Sequence, residues 1–253
     1  MQGRIIFMYS KSPALFFLLL VSLFAASRPV FGRAMERLER FESGGKSVRV
    51  ETFYPGGDEN KLPSLVILHG STGVEFADRF IATMAEAIAQ EGFVTHLVYY
   101  FDRTGTTLAD DETMHRFASE WINTIDNAVA YIHRRRAGAK IGIFGYSLGG
   151  YLAAAESVGN TTVSAGVVLA GGLDEASAPV LRQAPPMLIL HGEADKRVPV
   201  SEARKLAETL KEAGREPEVH LYPSEGHIMS LGSYFDVISR SAKFFHDHLQ
   251  ASS

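Results

Sequence analysis

The sequence predicts an α/β fold in which a mostly parallel central sheet carries helices on both faces. Three observations predict it. Short runs that are apolar almost throughout recur along the chain, each with the pattern of a strand buried on both sides. Stretches with apolar residues at helical spacing separate them, and strands alternating with helices make a parallel sheet. No internal repeat, low-complexity segment or linker interrupts residues 45–250, so this span reads as one domain. Right-handed crossovers place the strand C-termini along one edge, where a functional site is expected.

Residues 1–33 stand apart from that pattern. Arg4 and Lys11 supply positive charge without any acid, and Ala14 to Ala26 is a run of 13 almost wholly apolar residues. That is shorter than the roughly 20 residues that cross a bilayer. Small residues follow, with cleavage sites after Ser27, Gly32 or Ala34, so the segment reads as a signal peptide or as an uncleaved N-terminal membrane anchor. Either way the rest of the chain is expected outside the cytoplasm, periplasmic or secreted, touching a membrane only through this segment.

After a Gly-containing stretch at Glu42 to Lys46, Val48, Val50, Thr52 and Tyr54 alternate with Arg49, Glu51 and Phe53, which suits a half-exposed strand over 47–54. Buried strands follow at Ser64 to Leu68, Val94 to Tyr100, Ile141 to Phe144, Gly166 to Leu169 and Met187 to Leu190, and a last short strand at Glu218 to Tyr222. Between them, Phe76 to Gln90 has Phe80, Met84, Ala87 and Ile88 at helical spacing and stops at Gly92. Thr113 to Arg136 carries Phe117, Trp121, Ile125, Ala128 and Ile132 in the same rhythm. Another helix opens at Gly149-Gly150. Ser201 to Ala213 has Ser201 as its N-cap, Leu206 and Leu210 on one face and Gly214 past its end, and Tyr234 to Leu249 closes the chain as a helix.

Composition narrows the chemistry. At 46% hydrophobic and 21% charged residues the chain can bury a sizeable core. The absence of Cys excludes a disulfide framework, a thiolate nucleophile and a Cys-based zinc or iron–sulfur site. Lys and Arg number 25 against 29 Asp and Glu, a net charge of -4 that suits a polyanion poorly, so nucleic acid is not an expected partner. Cleavage after Ser27 removes two of the basic residues and makes the chain more acidic still.

The strongest chemical signal is Gly145-Tyr146-Ser147-Leu148-Gly149-Gly150, between a buried strand and a helix start. A glycine two positions either side of Ser147 removes Cβ atoms that would clash in a sharp strand-to-helix turn, and the hydroxyl then projects above the sheet. A serine hydroxyl needs a base and an orienting carboxylate. Two later strand exits supply them: Asp195 in His191-Gly-Glu-Ala-Asp195 with Val198-Pro199, and His227 after Gly226. Asp174 and Glu193 are rival acids. The oxyanion is assigned to the backbone N–H of Leu148 and of Ser71, in Leu68-His-Gly-Ser-Thr-Gly73, with Thr72 as alternative. Among the other histidines, His69 and His191 stand in His-Gly pairs at strand ends, where a structural bond to loop backbone is expected. His246 and His248 face different sides of a helix, and His96, His115, His133 and His220 have no convergent acids, so no metal site is proposed. The pocket is expected to be walled by Tyr146, Tyr151, Ile228, Met229 and Tyr99-Tyr100-Phe101, with Arg103 at its mouth. Tyr151 reads equally as packing under the helix that follows Ser147.

Together these four motifs resemble, in order and spacing, the α/β hydrolases and more closely the dienelactone hydrolase family, over about residues 45–250. The resemblance implies an α/β-hydrolase fold and hydrolysis of esters or lactones. The family's namesake enzymes use a Cys where this chain has Ser147, and hold it with a Glu in the early loop, where Gly70 aligns. They also bind a substrate carboxylate with two Arg residues. Arg103 corresponds to one and Leu231 stands in place of the other, so half of that clamp is missing. Arg103 is read equally as pairing with Asp102 or another local acid.

The sequence therefore points to an exported serine hydrolase cleaving small carboxylic esters or lactones through an acyl-enzyme, without metal or organic cofactor. A peptidase of related fold and a catalytically silent binding protein are the alternatives.

Overall fold

The computed structural model describes residues 34–74, 80–173 and 183–249. A hairpin of β1 (Met35–Ser43) and β2 (Lys46–Tyr54) turns through Gly44 and Gly45, both at positive φ as a two-residue turn requires. It is followed by β3 (Ser64–Leu68), β4 (Val94–Val98), β5 (Ile141–Tyr146), β6 (Val163–Leu169), β7 (Met187–Gly192) and β8 (Glu218–Tyr222). The eight strands form one sheet in the order β1-β2-β4-β3-β5-β6-β7-β8, antiparallel at β1-β2-β4 and parallel from β4 to β8. Leu68 pairs with Gly145, Tyr146 with Leu169, Leu169 with Leu190 and Gly192 with Tyr222, so these strands all end along the same edge. This is the α/β-hydrolase architecture.

Helices cover both faces. On one lie α1 (Phe80–Gln90) and α5 (Leu231–Leu249); on the other, α2 (Asp111–Arg135), α3 (Leu148–Gly159) and α4 (Val200–Glu212). The central strands are largely apolar because neither face meets water: every residue of β3, β4 and β7 is buried. Gly142 lets α5 lie close, since a Cβ there would stand 2.7 Å from Phe245 Cε1 and 2.8 Å from Leu65 Cδ2. Across the sheet, Trp121 is fully buried between Phe101, Tyr100 and Phe117, and its indole N–H donates to Thr104 Oγ1 at 3.0 Å.

Four sequence expectations need correction. The sheet includes a strand, β1, that precedes residue 45. As an edge strand, β1 buries only Phe41 and Ser43, so charges sit on both its faces and no apolar rhythm marks it. Tyr99 and Tyr100 do not continue β4; a 3₁₀ turn takes over at Tyr100–Arg103. Helix α4 starts at Val200, with Pro199 in the cap position, and Ser201 lies inside it. Helix α5 starts a turn earlier than expected, at Leu231. The signal-peptide or anchor segment 1–33, residues 76–79 of the expected first helix, and Asp174 lie outside the described residues. Among the described residues no helix is long and apolar enough to cross a membrane.

Two stability measurements follow. Trp121→Ala removes the largest buried side chain and leaves a cavity, so urea unfolding should show a loss of about 3–5 kcal/mol, while Leu38→Ala on the exposed face of β1 should change little. Glu156, 3% exposed on α3, is pushed up to about 7 by burial, against the hydrogen bond it accepts from Asn160 and with the help of Asp126. The folded state therefore keeps a proton that the unfolded chain gives up above its ordinary value of 4.5. That contribution is complete below this value and is lost as pH rises through about 7. Glu156→Gln should accordingly stabilise the protein more at pH 8 than at pH 4, read as the shift in unfolding midpoint at each pH.

Candidate active site

Ser147 occupies the turn from β5 into α3 with φ 58° and ψ -121°, a backbone state that L-residues adopt only when the surroundings enforce it. The surroundings do so. Its N–H donates to Leu169 O at 2.9 Å, and its carbonyl accepts the N–H groups of Gly150 and Tyr151 at 2.8 and 3.2 Å. A Cβ at Gly145 would run into the carbonyl of Gly149, and one at Gly149 would sit 2.5 Å from the carbonyl oxygens of Leu68 and His69. Both flanking glycines are thus required by close backbone approach.

Three strand exits bring their polar groups into one line. Ser147 Oγ lies 2.9 Å from His227 Nε2, and His227 Nδ1 lies 2.8 Å from Asp195 Oδ2. A carboxylate oxygen only accepts, so Nδ1 carries the proton and Nε2 turns a lone pair to the Ser147 hydroxyl. Ser147 and Asp195 are buried, while His227 remains partly open to solvent. Asp195 Oδ1 accepts the N–H groups of Arg197 and Val198 at 2.8 and 2.9 Å. Burial raises the Asp195 carboxyl, but the bonds from His227, Val198 and Arg197 outweigh it and hold the group below the usual carboxylate range.

The loop bearing the acid and the loop bearing the imidazole are laced by backbone: Glu193 N–H donates to Tyr222 O and Ala194 N–H to Glu225 O, each at 2.9 Å. Glu225 in turn accepts from the Ser230 N–H and from the hydroxyls of Ser230 and Ser233, which closes the loop around His227. Glu193, the nearby rival acid, is turned away onto Arg204 at 2.7 Å.

The loop after β3 lies against the same point. A Cβ at Gly70 would stand 3.3 Å from Ser147 Cβ and 3.5 Å from the Tyr146 ring, so a larger residue there would crowd the hydroxyl. His69 is buried, and burial lowers it to about 4, so the ring is neutral; its Nδ1–H donates to Gly70 O at 2.8 Å. Among the described residues neither Ser71 N–H nor Leu148 N–H donates to a protein acceptor.

The expected pocket wall divides. Tyr146 is at the site: its ring lies tilted against His227 with centroids 5.2 Å apart, and its hydroxyl donates to His227 O at 2.9 Å. Ile228 is 81% exposed beside the imidazole, and Met229 is half-buried. Tyr151 is half-buried and hydrogen-bonded to Glu202 over Gly172; burial and then Glu202 raise its phenol. Tyr99, Tyr100 and Phe101 are core residues instead, because the 3₁₀ turn directs them inward. Tyr100 stacks on His69 at 4.0 Å and donates to its carbonyl at 2.7 Å, Phe101 meets the same ring edge-on, and Tyr99 donates to Glu51 at 2.7 Å. Arg103 is not at the mouth either. Its guanidinium donates to Gly44 O at 2.6 Å, while Asp102 takes a forked bond from Arg49. Sequence reading missed Glu202, whose place in the first turn of an amphipathic helix looks like ordinary solvated surface, and Phe80, which packs on Tyr146 and reads as helix core. Among the described residues no three His, Asp or Glu side chains converge as a metal site.

Comparison with known proteins agrees with this architecture. A curated Methylorubrum extorquens protein, assigned by name to the carboxymethylenebutenolidases, is 29% identical over 117 residues, which span 42% of this chain and 40% of that protein. A crystal structure of a Klebsiella pneumoniae protein assigned by name to the dienelactone hydrolases superposes with TM-score 0.72 at 18% identity, covering 84% of this chain and 98% of that one. The acylaminoacyl peptidase of Pyrococcus horikoshii superposes with TM-score 0.71, also at 18% identity, over 92% of this chain and 44% of the peptidase. These two likenesses carry the fold. The sequence pattern of the dienelactone hydrolase family itself matches residues 50–231, from β2 to the start of α5, and the chain belongs to that family.

Proposed function

We propose that this protein is an exported serine hydrolase that cleaves small carboxylic esters or lactones through an acyl-enzyme on Ser147. The observation that carries the reading is the unbroken line of hydrogen bonds from Ser147 Oγ through the His227 ring to Asp195. As Oγ attacks the ester carbonyl, Nε2 takes its proton, and Asp195 stabilises the imidazolium. The carbonyl oxygen becomes an oxyanion facing the N–H groups of Leu148 and Ser71. The imidazolium then protonates the leaving alkoxide, which stays tethered if the substrate is a lactone. Water, deprotonated by the same imidazole, releases the acid and restores Ser147.

Two features support an uncharged acyl group. Arg103 is occupied by Gly44, and Leu231 brings no charge where a second arginine would complete an anion clamp. The N-terminal run of apolar residues behind Arg4 and Lys11 supports export. A peptidase reading draws on the Pyrococcus likeness, but this chain spans less than half of that peptidase.

Ser147→Ala should lower kcat/KM for p-nitrophenyl acetate by at least about 10⁴-fold with an unchanged unfolding midpoint. Asp195→Asn should cost about 10⁴-fold by allowing the wrong imidazole tautomer. Near wild-type activity in either would sink the mechanism. In Arg103→Ala, KM for an anionic ester and for its neutral analogue should change by the same factor; selective weakening toward the anion would instead place Arg103 on the substrate.

A further inference from the structure

One buried group beside the site has no part in the relay just described. His191, at the C-terminal end of β7, is fully buried. Its Nε2 lies 2.9 Å from Val198 O and 3.5 Å from Asp195 Oδ2, the oxygen that also meets His227. A carbonyl only accepts, so Nε2 carries the proton; burial lowers the imidazole below its ordinary value, which keeps the ring neutral. That leaves Nδ1 as an acceptor, and it is buried with no hydrogen-bond partner among the described residues. Packing alone favours an apolar side chain here, because an orphaned acceptor is a cost that leucine would not carry. What leucine lacks is the N–H.

We propose that His191 is a positioning residue for Asp195, an inference that rests on reading Ser147, His227 and Asp195 as the reactive line. Its Nε2–H holds the Val198 carbonyl and faces Asp195 Oδ2. The Val198 N–H, on the preceding peptide of the same short loop, holds Asp195 Oδ1. The imidazole thus closes the loop over residues 192–198 at the Val198 carbonyl, which no main-chain donor meets among the described residues. With the loop closed, Oδ2 stays aimed at His227 Nδ1. With it loosened, the carboxylate shifts and the imidazole loses its orientation, while the substrate-facing surface is untouched. A displacement of about 1 Å in such a group costs on the order of 100-fold in rate.

The test uses p-nitrophenyl acetate with His191→Leu, which removes the donor, and His191→Gln, which keeps an N–H at similar reach. The expected result for the Leu variant is a kcat lower by roughly 10- to 100-fold with KM unchanged and an unfolding midpoint close to that of wild type, because the substitution removes one orphaned buried acceptor, Nδ1, and leaves another, the Val198 carbonyl. The Gln variant should recover most of the lost kcat. A Leu variant with wild-type kcat would overturn the inference, as would Leu and Gln variants that lose kcat and stability in step. If the Leu variant does not fold, the Gln variant decides: kcat within about threefold of wild type supports the role and a loss of about tenfold overturns it. A wild-type protein inactive on this ester and its longer homologues would instead defeat the serine-hydrolase reading itself.

Discussion

The rest of the site depends on one steric constraint, the close backbone approach at the β5–α3 turn. The chain passes from strand to helix with no room for a side chain at Gly145 or Gly149, and the carbonyls of Leu68, His69 and Gly149 fill the space where Cβ atoms would stand. Ser147 pays for this with a positive φ. In return its hydroxyl sits where the exits of β3, β7 and β8 converge, at the start of a helix whose N-terminal end favours negative charge. A methyl group at either glycine would displace the turn from the β3 exit and separate the hydroxyl from the imidazole.

Around that turn the loops are held by main-chain groups more than by side-chain pairs. Ser147 is tied to Leu169, the acid loop to Tyr222 and Glu225, and Asp195 to two amides of its own loop. Such bonds are short, buried and insensitive to salt, unlike exposed ion pairs, which contribute little. The two His-Gly pairs at strand ends belong to this scaffold. His69 and His191 are neutral because burial disfavours their charged forms, and each gives its one N–H to a loop carbonyl. The partly open His227 is left as the imidazole with access to both Ser147 and solvent.

Much of this was legible in the residues. Strands buried on both faces leave an apolar run with sharp ends, so Ser64–Leu68 matches its expected bounds. Strand exits on a parallel sheet share an edge, so the convergence of Ser147, Asp195 and His227 followed from which strand each residue ends. Edge strands carry no such mark: β1 has charge on both faces and its register comes from the Gly44-Gly45 turn. Side-chain direction in a loop is equally silent. Tyr99, Tyr100 and Phe101 stand beside the functional edge in sequence, yet the 3₁₀ turn folds them under His69 as core, and Arg103 is carried round to the β1–β2 hairpin. A local alternation reports burial, but which loop a side chain meets is set by tertiary packing.

The reactive character of Ser147 is the claim on which the functional reading stands. Labelling the intact protein with a fluorophosphonate probe and mapping the modified residue by mass spectrometry tests it directly. Modification of Ser147 alone, suppressed by prior incubation with a hydrolysable ester, is the expected result. A label on another serine, or none under conditions where the protein remains folded, would contradict it.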